Sequence, residues 1–265
     1  SVLYQLAWVL TDLNKATEAD TMFERLVREY PASDYWADST YRLAERAFHN
    51  GNTAAANSYV DQLLESDLEP RLLRHSLYLK GQLAAQQEKW NEVVPPMQQL
   101  VDESAEGELH LPARYWIAEA AFRLTEYANA GEQFVRLNND LGDLDASWVP
   151  MVPLRQAQCL AHEEKWAEAL VVAQGIAERF PSFRQLYEAD YVIGRCLSMQ
   201  ARFSAAREAF TRVVRSPAGG RTETAAMAQW MIGESLFHQK EYRDAVRVYH
   251  RVVSLHAYPQ WQAAA

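Results

Sequence analysis

The amino-acid sequence predicts an all-α fold: a superhelical solenoid of antiparallel helix pairs, about seven repeats plus the start of an eighth, with no sheet. Three observations carry this. Residues 229–253 hold two helical apolar patterns on either side of the polar break Gln239-Lys240-Glu241. The first pattern is Trp230, Ile232, Gly233, Leu236 and Phe237, and the second is Tyr242, Ala245, Val246, Tyr249, Val252 and Val253. The small residue Gly233 has counterparts at Ala7, Ala44, Gly81, Ala118, Ala157 and Gly194, in steps of 37, 37, 37, 39, 37 and 39 residues. The second-helix residue Ala245 recurs with the same steps at Ala19, Ala56, Val93, Ala130, Ala169 and Ala206. Two slots sharing one period define a unit that packs on its neighbours. The small residues in both slots let paired helices cross closely.

A third slot, four residues after the second, holds Phe23, Val60, Met97, Phe134, Ala173, Phe210 and Tyr249. A bulky side chain here fills the space beneath the first helix of its own or the following repeat. Ala173 therefore predicts looser packing in repeat five, unless a neighbour compensates. Prolines at Tyr30-Pro31, Phe180-Pro181, Ser216-Pro217 and Tyr258-Pro259 act as helix stops.

These slots divide the chain, in sequence order, into repeats 1–36, 37–73, 74–110, 111–149, 150–186, 187–225 and 226–258, with 259–265 opening a further one. Repeat one begins inside its first helix (Leu3, Leu6, Ala7, Leu10). Repeat two turns at Asn50-Gly51-Asn52. Repeat three carries Pro95-Pro96 where its second helix belongs, which reads either as a hinge or, more simply, as a helix starting at Pro95 or just before. A polar link over 102–108 precedes repeat four, and a longer one over 138–150 follows it. Repeats five and six are regular, and Ser216-Pro217-Ala218-Gly219-Gly220 reads as the most flexible loop. The closing segment 258–265 reads as an eighth first helix, with Trp261 covering the end of repeat seven. Solenoids need polar caps, so two uncapped ends predict a fragment of a longer repeat protein.

The formal charge is 26 − 35 = −9. That argues against nucleic acid as the partner, since phosphate attraction needs a basic face, and it disfavours anionic membrane surfaces. No apolar run approaches the ~18 residues of a membrane span. Cys159 and Cys196 share a slot with Val9, Arg46, Leu83, Ala120 and Ser235, a mixture that predicts partial burial. At an interaxial spacing of about 9–10 Å they are too far apart for a disulfide.

The chain lacks HExxH, a P-loop, a Gly-rich dinucleotide fingerprint and GxSxG. It is predicted not to be an enzyme, with no catalytic, cofactor-binding or metal-ligating residues and no cofactor. His49, His162 and His238 share one slot but sit in non-adjacent repeats. They are too far apart for zinc, whose ligands lie about 2 Å away, and read as solvated groove histidines.

The offsets of Ile232-Gly233, Leu236, Ala245 and Tyr249 resemble those of a tetratricopeptide (TPR) repeat. The period is longer than the usual ~34. The phrases Glu29-Tyr30-Pro31-Ala32-Ser33, Tyr41-Arg42-Leu43-Ala44-Glu45 and Arg179-Phe180-Pro181-Ser182 resemble the bacterial cell-envelope branch of that family. That branch includes Tol–Pal-associated periplasmic proteins and BamD-type lipoproteins. The resemblance implies a non-catalytic scaffold that binds a protein or peptide partner in a concave groove lined by first helices. It also implies a periplasmic or cell-envelope setting, with the cytoplasm as the other option. The alternative is a spacer, regulatory or self-association module of a larger catalytic or signalling protein.

Three residues before each anchor stand Tyr4, Tyr41, Tyr78, Tyr115, Leu154, Tyr191 and Trp230. Glu45, Glu119 and Glu234 follow the anchors directly, and Phe48, Phe122 and Phe237 lie one turn on. Two readings apply. The rings pack between adjacent first helices and show only their hydroxyls, or Tyr41, Tyr78, Tyr115, Tyr191, Trp230 and the three Phe form a strip for an apolar or aromatic partner segment. On the second reading the three Glu can meet a basic segment. The slots lack the Lys and Asn of a carboxylate clamp, so an acidic C-terminal tail is not expected.

Overall fold

The structure is a computed structural model that describes residues 2–103 and 107–265, so positions 104–106 of the 102–108 link lie outside the described residues. Those residues form fifteen helices and no strand. The chain divides into two compact units, residues 1–124 and 125–265. The first unit holds α1 (Val2–Asp12), α2 (Ala16–Glu29), α3 (Trp36–His49), α4 (Thr53–Leu64), α5 (Pro70–Gln86), α6 (Trp90–Glu103) and α7 (His110–Arg123). The second holds α8 (Tyr127–Asp140), α9 (Met151–His162), α10 (Trp166–Arg179), α11 (Leu186–Met199), α12 (Phe203–Arg215), α13 (Glu223–His238), α14 (Tyr242–Leu255) and α15 (Pro259–Ala264). Within each unit every helix packs on the next. First helices also touch one another, α3 on α5 and α5 on α7 in the first unit, α9 on α11 and α11 on α13 in the second. Among the described residues the second helices show no comparable contact, so in each unit the first helices make the inner layer.

One turn type joins the two helices of every repeat. Seven residues after each anchor stand Asn14, Gly51, Glu88, Thr125, Glu164, Ala201 and Lys240, all with φ between 56° and 73°. In repeats one to three and five to seven the next amide then bonds back across the turn, as Lys15 N to Leu10 O at 2.9 Å and Arg202 N to Leu197 O at 2.9 Å. This closes the helix end in a Schellman arrangement. Only repeat two supplies the glycine this geometry favours; a side chain in left-handed backbone costs about 1–2 kcal/mol. Ala201→Gly is therefore expected to raise stability by about 1 kcal/mol, read as a higher urea midpoint. An unchanged or lower midpoint would mean that the added freedom of the unfolded chain cancels the relief.

Close crossing explains the anchor slot. A Cβ built on Gly81 would lie 2.5 Å from Met97 Cε, and one on Gly194 would lie 2.5 Å from Phe210 Cε1. Tyr249 occupies the same place beneath Gly233. The third-slot side chain thus fills the space under the first helix of its own repeat. Repeat five is not loose: Ala173 is buried in one cluster with Ala157, Val192, Ile193 and Cys196. Helix α11 of the following repeat closes the space a large side chain would have taken.

Several local expectations change. Helix α6 starts at Trp90, so Pro95 and Pro96 fall in its second turn, because Val93, Met97 and Leu100 are buried along that helix. Helix α5 begins at Pro70, four residues before the expected boundary, and α13 at Glu223, three before. The long link shortens to 141–150 and is anchored by buried Leu141 and Val149. The 216–220 segment is a packed turn: Gly219 is buried against the Tyr187 ring, Gly220 N donates to Ser216 O at 2.8 Å, and Thr222 Oγ1 donates to Gly219 O at 2.6 Å. Cys159 and Cys196 are fully buried rather than partly so, as are Leu83, Ala120 and Ser235 in that slot. Burial pushes the Cys196 thiol up to about 11, which keeps it unreactive.

Helix α15 lies against α13 and α14. The half-buried Trp261 places its ring 5.8 Å from that of Trp230 and donates from Nε1 to Glu223 Oε1 at 2.9 Å. Trp230 Nε1 donates in return to Ala264 O at 3.2 Å. Just before α15, His256 is buried, and burial holds its imidazole below the ordinary value of 6.5. The unfolded chain therefore binds a proton that the folded chain resists. The stability His256 preserves is present above about pH 6.5 and is lost as pH falls below it. Wild type should lose more stability than His256→Asn between about pH 7.5 and about pH 5.5 in thermal unfolding; equal losses would remove His256 as the cause.

Candidate protein-binding surface

In the first unit the tyrosine row begins at Tyr4, whose hydroxyl donates to Asp38 Oδ2 at 2.8 Å and whose ring stacks on Tyr35 at 4.6 Å. Tyr41 is half-buried. Burial first, and then the neighbouring Glu45 carboxylate, hold its phenol far above the usual range. Tyr78 accepts a hydrogen bond from Trp116 Nε1 at 3.2 Å. Tyr115 is 9% exposed and meets Trp116 edge-on at 5.6 Å. Glu119 is 3% exposed and accepts from Arg123 Nε at 2.7 Å. Tyr115 and Glu119 are interior positions and offer a partner no face, so for them the packing reading applies. Phe48 is half-buried in the cluster of Ala44, Ala56 and Leu83, and Phe122 is half-buried.

In the second unit Tyr191 sits 5.8 Å from the Phe210 ring, and burial raises its phenol. Glu234 accepts from the Tyr249 hydroxyl at 2.5 Å. Phe237 is 51% exposed and meets Tyr242 edge-on at 5.4 Å. The members of the expected strip that are not buried are thus Tyr41, Glu45, Phe48, Tyr78 and Phe122 in the first unit, and Tyr191, Trp230, Glu234 and Phe237 in the second.

The structure brings Tyr41 and Glu45 together in a cleft of about 630 Å³ between α3 and α5, closed at one end by the loops before those helices. Arg42 crosses the cleft wall. Its Nη1 pairs with Glu45 Oε2 at 3.1 Å, its Nε lies 3.9 Å from Asp38 Oδ2, and its guanidinium covers Trp8 at 4.9 Å. His75 meets Tyr41 edge-on at 6.0 Å and lies 3.2 Å from Glu108 Oε1.

A second aromatic row had a sequence signal that the groove-centred expectation overlooked. Nine residues after the anchor stand Trp90, Tyr127, Trp166, Phe203 and Tyr242, each the first residue of a second helix. Four of them pair with the first helix of the following repeat. Arg123 lies over Trp90 at 5.2 Å and Arg195 over Trp166 at 5.6 Å; Tyr127 stacks on His162 at 3.9 Å and Phe203 on His238 at 5.7 Å. His162 and His238 thus stack between repeats while remaining exposed to solvent. Burial, then Arg195, lower the basicity of His162. Among the described residues no three His, Cys, Asp or Glu side chains are placed to hold a metal ion, and no helix is long and apolar enough to cross a membrane.

Residues 1–33 and 188–260 each match the tetratricopeptide repeat. No curated protein matches the chain. Among solved structures, a tetratricopeptide repeat protein from Parabacteroides merdae is 16% identical, with 97% of this chain and 92% of that one covered and a TM-score of 0.65. The apo form of the quorum sensor NprR from B. thuringiensis is 12% identical over 95% of this chain and 74% of its own, with a TM-score of 0.70. YrrB, described as a TPR protein with an unusual peptide-binding site, is 17% identical over 78% of this chain and 97% of its own, with a TM-score of 0.58. These likenesses are of fold. Two stretches of the sequence are tetratricopeptide repeats, and the fold of the chain is that of a tetratricopeptide-repeat protein.

Proposed function

We propose that the chain is a protein-interaction scaffold that holds a segment of a partner protein against its first helices. The observation that carries this is the cleft between α3 and α5, where half-buried Tyr41 and Glu45 stand beside open volume. An extended or helical peptide is the class of ligand such a groove accommodates, and YrrB offers a precedent for peptide binding on this fold. In its finer form the proposal sets the partner in a bacterial cell-envelope assembly, on the strength of the Glu29-Tyr30-Pro31-Ala32-Ser33 and Arg179-Phe180-Pro181-Ser182 phrases; fractionation of producing cells tests that part. The scaffold reading is tested by photo-crosslinking. A crosslinker at Gln82 on α5 is expected to capture the partner, while one at Gln62 on α4 is not. Capture at Gln62 alone would overturn it.

A further inference from the structure

We propose that the α3–α5 cleft selects a segment carrying both an apolar side chain and Lys or Arg, with the apolar group on Trp36, Tyr41 and Leu72 and the cations at Asp34, Asp67 and Glu69. This rests on the scaffold reading and adds the chemistry of the ligand. The argument begins with which charges in the cleft are already used. Asp38 and Glu45 are committed to Arg42, and Asp38 also receives the Tyr4 hydroxyl. His75 is committed to Glu108. Asp34, Asp67 and Glu69 are exposed, lie on the loops before α3 and α5, and make no ion pair with any described residue. Glu69 precedes α5 without a side-chain capping bond, so helix capping does not explain its carboxylate. Against these three stands Arg71 as the remaining guanidinium of the lining.

The cleft therefore has an aromatic and aliphatic wall and a rim with a surplus of negative charge. An acidic segment would meet repulsion at that rim, and a purely apolar one would leave the carboxylates beside a dry surface without a counter-charge. A segment with apolar and basic residues satisfies both parts. The rim charges are solvent-exposed, so they set selectivity and salt sensitivity while the wall supplies the contact area.

The test uses the whole 265-residue chain and a short synthetic peptide of alternating Leu and Lys, with versions carrying Gln or Glu in place of Lys. The Lys peptide is expected to bind about tenfold tighter than the Gln peptide at low salt, to weaken as salt rises from about 50 mM to about 500 mM, and to outcompete the Glu peptide. The triple variant Asp34→Asn, Asp67→Asn, Glu69→Gln should lose about tenfold in affinity for the Lys peptide with an unchanged thermal midpoint, since all three residues are exposed. Equal binding of the Lys and Gln peptides, an unaffected triple variant, or no binding of the Lys peptide overturns the proposal. If Gln82 still captures the partner in those cases, the scaffold reading stands and only the ligand chemistry falls. Capture at Gln62 alone removes both.

Discussion

Phe210→Ala is expected to cost about 3–5 kcal/mol, among the largest single losses in the second unit. The ring is fully buried under Gly194 and belongs to the cluster of Val192, Ile193, Cys196 and Val213. Removing it takes away buried apolar surface and leaves a void that two helices joined by a tight turn cannot easily close. Gly194→Ala tests the same contact from the other side. Its new methyl would meet a ring rather than a flexible chain end, so a cost of about 1–3 kcal/mol is expected. In the Phe210→Ala background that clash is gone, and the methyl partly fills the void. The two changes should therefore couple by about 1–3 kcal/mol in the compensating direction, measured by urea unfolding of wild type, both singles and the double. Additive losses would show that the glycine and the ring do not share the space. Each repeat depends on its neighbours, so the loss should appear in amide exchange of α11 to α13 and leave α3 and α4 unchanged.

This pair also shows why the architecture was legible in the sequence. A helix pair that crosses closely needs a small residue where the backbones approach and a filler beneath it, and both demands recur with the repeat. Ala7, Gly81, Gly194 and Gly233 thus speak for the backbone, and Met97, Phe210 and Tyr249 for the filler. The candidate surface was less legible, because slot position gives the side of a helix and not its depth. Tyr115 and Trp230 share a slot, yet Tyr115 is buried while Trp230 is half-exposed with Trp261 beside it. Depth depends on what the neighbouring helices bring, and no single repeat encodes that. The 216–220 turn misled for a similar reason: its composition suggests freedom, but Tyr187, about thirty residues away, fills the space beside Gly219. The cleft acids Asp34, Asp67 and Glu69 lie in loops outside the repeating slots, where periodicity carries no signal.

The second large effect concerns Pro95 and Pro96, where a local rule and tertiary packing conflict. Only the first four amides of a helix lack an internal acceptor. Pro95 and Pro96 are the sixth and seventh residues of α6, which runs from Trp90. Their missing N–H groups would otherwise bond Asn91 and Glu92 carbonyls, and proline in a helix interior costs about 3 kcal/mol. The helix persists because Val93, Met97 and Leu100 recur at helical spacing and are buried, each contributing about 1.5–3 kcal/mol. Asn91 and Glu92 are exposed, so water can reach the carbonyls left without partners. The double variant Pro95→Ala, Pro96→Ala is therefore expected to be more stable by about 3 kcal/mol or more, with a higher urea midpoint and new amide protection at positions 95 and 96. A loss of stability would carry a different meaning. It would show that the prolines hold a bend that seats Met97 beneath Gly81, and that straightening α6 removes this packing. The two outcomes separate cleanly, because a straightened helix would also release Gly81→Ala from its clash with Met97.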